Sequence, residues 1–205
     1  MQFDEIKIYL DRYRSENKKV FITSSFQTHS IPLLHIISRI DKTIPVFFIN
    51  TGFHFPETIQ FRDKVLDNLG LKMVDLHSMV SRNLQRDPQG QFYFTSDPDY
   101  CCFLNKTQPM EPVLAEYDVW INGIRADQNA NRKSMQIEQA AQKGAIRFHP
   151  ILDWNMKMVY DYIREFNLPK HPLENQGYMS IGCEPCTRKV DLSNDRSGRW
   201  FGLNK

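Results

Sequence analysis

Four cysteines offer this chain its most distinctive chemistry, and they come as two pairs. Cys101 and Cys102 are adjacent in PDYCCFLNK, while Cys183 and Cys186 stand in SIGCEPCTRK with C-x-x-C spacing. That spacing sets two thiolates on one small turn, where they chelate a metal or form a redox couple. Together the pairs can supply four thiolates to one tetrahedral ion or to one iron–sulfur cube. Zinc sites are commonly built from two CxxC-like knuckles, and adjacent cysteines are awkward for a single ion because neighbouring side chains diverge. A 4Fe-4S cluster offers four separate iron corners and relaxes that demand, so it is the favoured reading, with zinc as the alternative. Four unrelated thiols are the plainer reading. A nucleophilic pair is the weakest, since neither pair has a neighbouring His to activate it.

A second set of residues can hold anions. After the apolar run Val20 to Thr23 comes TSSFQTHS, where Ser24, Ser25 and backbone N–H groups at the start of a helix can hold a phosphate. NTGFHFPET offers Gly52 for a close backbone approach, and its His54 reads as a structural or surface histidine more than as a base. NGIRADQNANR carries Gly123 with Arg125 and Arg132, whose guanidinium groups fork onto phosphate or sulfate oxygens. Residues 187 to 205 set Arg188, Lys189, Arg196, Arg199 and Lys205 against Asp191 and Asp195, the best local anion candidate on composition. Each loop has a blander reading as a cap or solvated turn; their recurrence at successive strand ends carries the weight.

These residues need a scaffold. The chain has 205 residues, 41% hydrophobic and 24% charged, with net charge +2, which suits one well-buried domain and gives no global case for nucleic acid. The mixed-charge N-terminus is neither signal peptide nor membrane span, and no other stretch reaches the roughly 20 apolar residues of a span, so a cytoplasmic location is expected. Thiols stay reduced there, which argues against a disulfide scaffold. Short apolar runs at Val20 to Thr23, Val46 to Ile49, Lys72 to Asp75, Val119 to Gly123 and Ile146 to Ile151 read as strands covered on both faces. Between them IPLLHIISRI, PETIQFRDKVLDNLG and NMKMVYDYIREFN read as helices, the second opened by Pro56 and closed by Gly70. The alternation predicts an α/β fold with an open, mainly parallel sheet, helices on both faces and ligands at the carboxyl ends of the strands. Residues 81–112 break the pattern and read as an insertion or lid that delivers Cys101 and Cys102.

Taken together these motifs resemble the adenylyl-sulfate and phosphoadenylyl-sulfate reductases of assimilatory sulfate reduction, from about Val20 to Trp200. HPILDW, LPKHPLENQGYMSIGCEPCTRKV and RSGRW look like the family's signature blocks. NTGFHFPET is similar to TGxxxPET, CCFLNKTQPM to CCxxRKxxPL, and NGIRADQNANR to TGxRxxQxxxR. The resemblance implies an adenine-nucleotide alpha-hydrolase-like fold and the thioredoxin-dependent reduction of adenylyl sulfate to sulfite and AMP through an enzyme S-sulfocysteine. Members with both cysteine pairs carry a 4Fe-4S cluster, which assigns Cys101, Cys102, Cys183 and Cys186 as its ligands. Lys106 matches the lysine between cluster and substrate; Arg132, Arg196 and Arg199 match substrate-binding arginines, with Ser24, Ser25 and Gly123 in the nucleotide loops. A glutaredoxin-like donor in place of thioredoxin and a homo-oligomer are both compatible with it.

Two departures shape the expectation. TSSFQTHS carries Phe26 and His29 where the S-x-G-x-x-D-S loop of relatives has glycine and aspartate, which weakens an ATP-pyrophosphatase reading. The family's nucleophile lies in a Glu-Cys-Gly-Leu-His tail, and no cysteine follows Cys186, so the attacking thiol is expected beyond Lys205. The competing readings are an ATP-dependent sulfur-transfer or thiolation enzyme on the same fold, and a non-catalytic cluster-containing nucleotide-binding protein.

Overall fold

The computed structural model describes residues 1–189. Helix α1 (Phe3–Ser15) leads into β1 (Val20–Thr23), followed by α2 (Ile31–Ile40), β2 (Val46–Ile49), α3 (Pro56–Leu69) and β3 (Met73–Leu76). The segment between β3 and the next strand carries α4 (Tyr93–Ser96), α5 (Pro98–Cys102), a π-helical turn at Phe103–Thr107 and α6 (Gln108–Glu116). Then come β4 (Val119–Ile121), α7 (Ala130–Lys133), β5 (Glu138–Ala140), β6 (Ile146–Phe148) and α8 (Met156–Glu165). The six strands run in the order β3-β2-β1-β4-β6-β5. All pairs are parallel except β5 with β6. Strand order reverses between β1 and β4, which opens a crevice at their carboxyl ends.

Alternation along the strands explains why helices cover both faces. Ile22, Val46, Phe48, Val119, Ile121 and Phe148 point to one side and pack under α1, α2, α3 and α8. Phe21 and Phe47 point to the other and pack on Met110, Val113 and Leu114 of α6. Helix α3 ends where expected: Gly70 sits at φ +63, and its N–H bonds back into the last turn. Three features exceed the sequence expectation. Helix α1 buries Ile6, Leu10 and Tyr13 against the sheet. Strand β5 has the sequence EQA and pairs only with β6 at the sheet edge, so no apolar run announces it. The segment expected as an insertion or lid, residues 81–112, is largely helical over its second half.

Candidate functional site

The strand ends enclose a cavity of about 460 Å³. Ser24, Ser25, Gly123, Arg125, Arg132 and Lys106, all expected from sequence, line it. Gly52 does not. It holds the left-handed backbone at φ +73 beside the lining residue Thr51, and its carbonyl accepts from Arg82 Nη1 at 3.1 Å. It thus shapes the wall without facing the cavity. Arg196 and Arg199, with most of the basic tail, lie outside the described residues.

The first loop shows what its departure from S-x-G-x-x-D-S entails. Phe26, standing where that pattern has glycine, adopts φ +52. An L side chain avoids that region, and the loop holds it there because the ring is fully buried, edge-on to Phe48 at 5.7 Å. Ser24 Oγ accepts from the Phe26 N–H at 3.1 Å. The far wall is tied on by Gln27, whose Oε1 accepts from the Ile181 N–H at 3.0 Å.

Four polar atoms near this cavity are buried without a hydrogen-bond partner among the described residues: Arg125 Nη1, Asn122 Nδ2, His54 Nδ1 and His149 Nε2. Arg125 is 1% exposed, and its Nε donates to Asp127 Oδ1 at 3.0 Å. Asp127 also accepts from the Met156 N–H at 3.0 Å, so the start of α8 fixes the guanidinium. Arg132 Nη1 donates to Gln128 Oε1. Asn122, His54, Thr58 and Gln128 line the cavity and were not read from sequence as ligand contacts. Only the position of Asn122 just past β4 could have signalled it. His149 Nδ1 meets Asn122 Oδ1 at 2.6 Å, and His171 Nε2 meets Thr58 Oγ1 at 3.0 Å. Burial pushes both imidazoles down to about 4, with Arg147 and Arg132 adding to the effect at His149. His54, tilted against the Phe48 ring at 4.7 Å, is also lowered by burial, so a neutral structural imidazole fits it.

All four cysteines line a second, smaller cavity, and Thr51, Lys106 and Cys183 belong to the walls of both. Lys106 Nζ donates to Cys102 Sγ at 3.1 Å, Asn105 Nδ2 lies 3.5 Å from Cys101 Sγ, and Thr51 Oγ1 is 3.3 Å from Cys183 Sγ. No disulfide joins these four cysteines. Burial and the neighbouring Cys102 and Cys183 push Cys101 up to about 11. Among the described residues no group of three or more His, Cys, Asp or Glu is arranged to hold a metal ion. The four cysteines line one cavity, and Cys101, Cys102 and Cys183 each engage a different protein hydrogen-bond partner.

A mainly parallel sheet with a polar, ligand-sized crevice at its switch point defines an open α/β domain of the doubly wound type. The model of the phosphoadenosine phosphosulfate reductase domain matches residues 19–189, and the chain belongs to that family. It is 38% identical over 202 residues to adenosine 5'-phosphosulfate reductase of Chelativorans sp. (strain BNC1), covering 98% of this chain and 81% of that protein. It is 36% identical to phosphoadenosine 5'-phosphosulfate reductase of Gloeobacter violaceus, covering 97% and 84%. The phosphate complex of phosphoadenylyl-sulfate reductase from Candida auris matches in fold, with TM-score 0.70 at 23% identity over 92% of this chain and 96% of that one. Among the described residues, no helix is long and apolar enough to cross a membrane.

Proposed function

We propose that the chain binds adenylyl sulfate in the large cavity and serves its reduction to sulfite and AMP. A thiolate attacks the sulfur, the S–O bond to the phosphate breaks, and AMP leaves with the electron pair. The resulting S-sulfocysteine is then attacked by a dithiol donor of thioredoxin type, which releases sulfite and leaves the donor as a disulfide. The observation that carries this reading is the shared wall: Lys106 stands between a cation-lined cavity and the four thiols. Nucleophile and substrate are both anionic, so the step needs fixed positive charge around the sulfate and phosphate. Lys106, Arg125 and Arg132 supply it, and the unpartnered Arg125 Nη1 and Asn122 Nδ2 are donors that lack an acceptor of their own.

All four cysteines line one cavity, which supports reading them as the ligand set of a 4Fe-4S cluster, the group the family resemblance assigns to them. When bound, the cluster supplies fixed charge beside Lys106 and orders the lid. With Cys101, Cys102, Cys183 and Cys186 so committed, the nucleophile is a fifth thiol, which the family resemblance assigns to sequence after Lys205.

The test incubates this 205-residue chain with sulfur-35 adenylyl sulfate, and separately with ATP. Reversible binding without covalent label is expected, and a label on one of the four cysteines would sink the assignment of the nucleophile. Failure to bind adenylyl sulfate would remove the substrate reading, and pyrophosphate release from ATP would replace it with sulfur transfer.

A further inference from the structure

Each of the adjacent thiols is followed, four residues on, by a nitrogen donor: Cys101 by Asn105 and Cys102 by Lys106. That spacing brings side chains together on one face of a helical segment. The π-helical turn at Phe103–Thr107, a rare geometry frequent at functional sites, carries both donors. Lys106 gives its thiol a charged donor, and Asn105 gives the other a neutral one. In the segment similar to CCxxRKxxPL, Asn105 stands where the pattern has arginine.

Asn105 is 2% exposed and is held from behind. Gln85 Nε2 donates to Asn105 Oδ1 at 3.0 Å, and Asn105 Nδ2 returns a bond to Gln85 Oε1 at 2.6 Å. Gln85 also donates to the Val80 carbonyl at 2.9 Å, which anchors the pair to the loop after β3. The second Asn105 hydrogen is shared between the Cys101 carbonyl at 2.9 Å and the Cys101 sulfur at 3.5 Å. A reciprocal amide pair with every polar atom bonded is a stiff way to aim one N–H.

We propose that Asn105, locked by Gln85, is a positioning residue that aims its N–H at the Cys101 sulfur and thereby sets the potential of the group the four cysteines hold. This rests on the cluster reading above. A donor on a ligand sulfur stabilises the more electron-rich, reduced form, so it raises the reduction potential.

The full chain and its variants Asn105→Ala, Asn105→Asp and Gln85→Ala are reconstituted anaerobically with ferrous iron and sulfide. Iron and sulfide are then counted, and the midpoint potential is read by optical and paramagnetic-resonance titration. The expectation is four irons in the unmodified chain. Asn105→Ala should shift the reduced-to-oxidised ratio about tenfold towards oxidised, about 59 mV for one electron. Asn105→Asp should shift it further the same way, and Gln85→Ala, which touches no thiol, less far but in the same direction. Equal potentials across loaded proteins overturn the proposal while leaving the cluster intact. An unmodified chain that takes up no iron overturns the cluster reading and this inference together. Should both Asn105 variants fail to fold, Gln85→Ala decides: an unchanged potential there refutes the positioning role.

Discussion

Acidification from pH 7.5 to pH 5 should remove about 4 kcal/mol of folding stability, through two imidazoles behind the cavity wall. His149 and His171 are fully buried, and each is neutral in the fold with its pKa at about 4 against 6.5 for the free side chain. At His171 the local bonding agrees: Nδ1 accepts from the Leu173 N–H at 3.2 Å, so a proton added there would face another donor. Because the folded values are depressed, stability is complete above the unfolded value of 6.5 and falls with pH towards about 4, where the loss levels off. At pH 5 the unfolded chain takes up protons that the folded chain refuses, which costs about 2 kcal/mol for each histidine. His35 and His54, also lowered by burial, act in the same direction. Against a total of about 5–15 kcal/mol for a typical domain, the loss is large. Urea unfolding followed by tryptophan fluorescence at half-unit steps measures it, and the slope approaches about 1.4 kcal/mol per pH unit per histidine. His149→Asn and His171→Asn should each flatten that slope by about 1 kcal/mol per unit, whatever they do to absolute stability. A slope near zero between pH 5 and 7.5 in the unmodified chain would refute the reasoning, because it would mean these imidazoles protonate freely in the fold.

Lys106→Met should weaken adenylyl sulfate roughly tenfold to a hundredfold, the worth of one charge-assisted hydrogen bond, while adenosine binding stays within about twofold; calorimetric titration compares the two. Cys183→Ser should abolish iron retention after reconstitution without preventing folding, as read by iron assay beside circular dichroism. Gly70→Ala should cost about 1 kcal/mol in urea unfolding, because an L side chain resists φ +63 and its Cβ would approach Lys42 Nζ to 3.2 Å, a flexible end that can yield. An unchanged denaturation midpoint there would contradict the left-handed cap.

Much of the frame is legible because burial on two faces writes itself as short apolar runs: VFIT, VFFI and the core of VWING all became strands. Strand β5 escaped because an edge strand with the sequence EQA has no apolar signature. The helices between β3 and β4 are less legible, since a polar surface and two Asp-Pro dipeptides mask their periodicity. At the site, charged and hydroxyl residues on loops were visible as types: Arg125, Arg132, Ser24 and Lys106 all reached the cavity. Asn122 and Thr58 were not, because their roles depend on partners 27 and 113 residues away, His149 and His171. Gly52 lies beside the lining residue Thr51 and not among the lining itself; φ +73 and close approach to a ligand are both reasons for glycine, and sequence does not separate them.

The thiols do not share one support. Cys101 and Cys102 ride on α5, whereas Cys183 is clamped to the segment after β2 by a bridge with His54 and by the Glu184 N–H donating to the Phe53 carbonyl at 2.6 Å. Any group bonded to both pairs would therefore act as a staple between two separately anchored segments. It would close a loop of about 80 residues, which by chain entropy restricts the unfolded state by on the order of 4 kcal/mol, as much as a disulfide of that span.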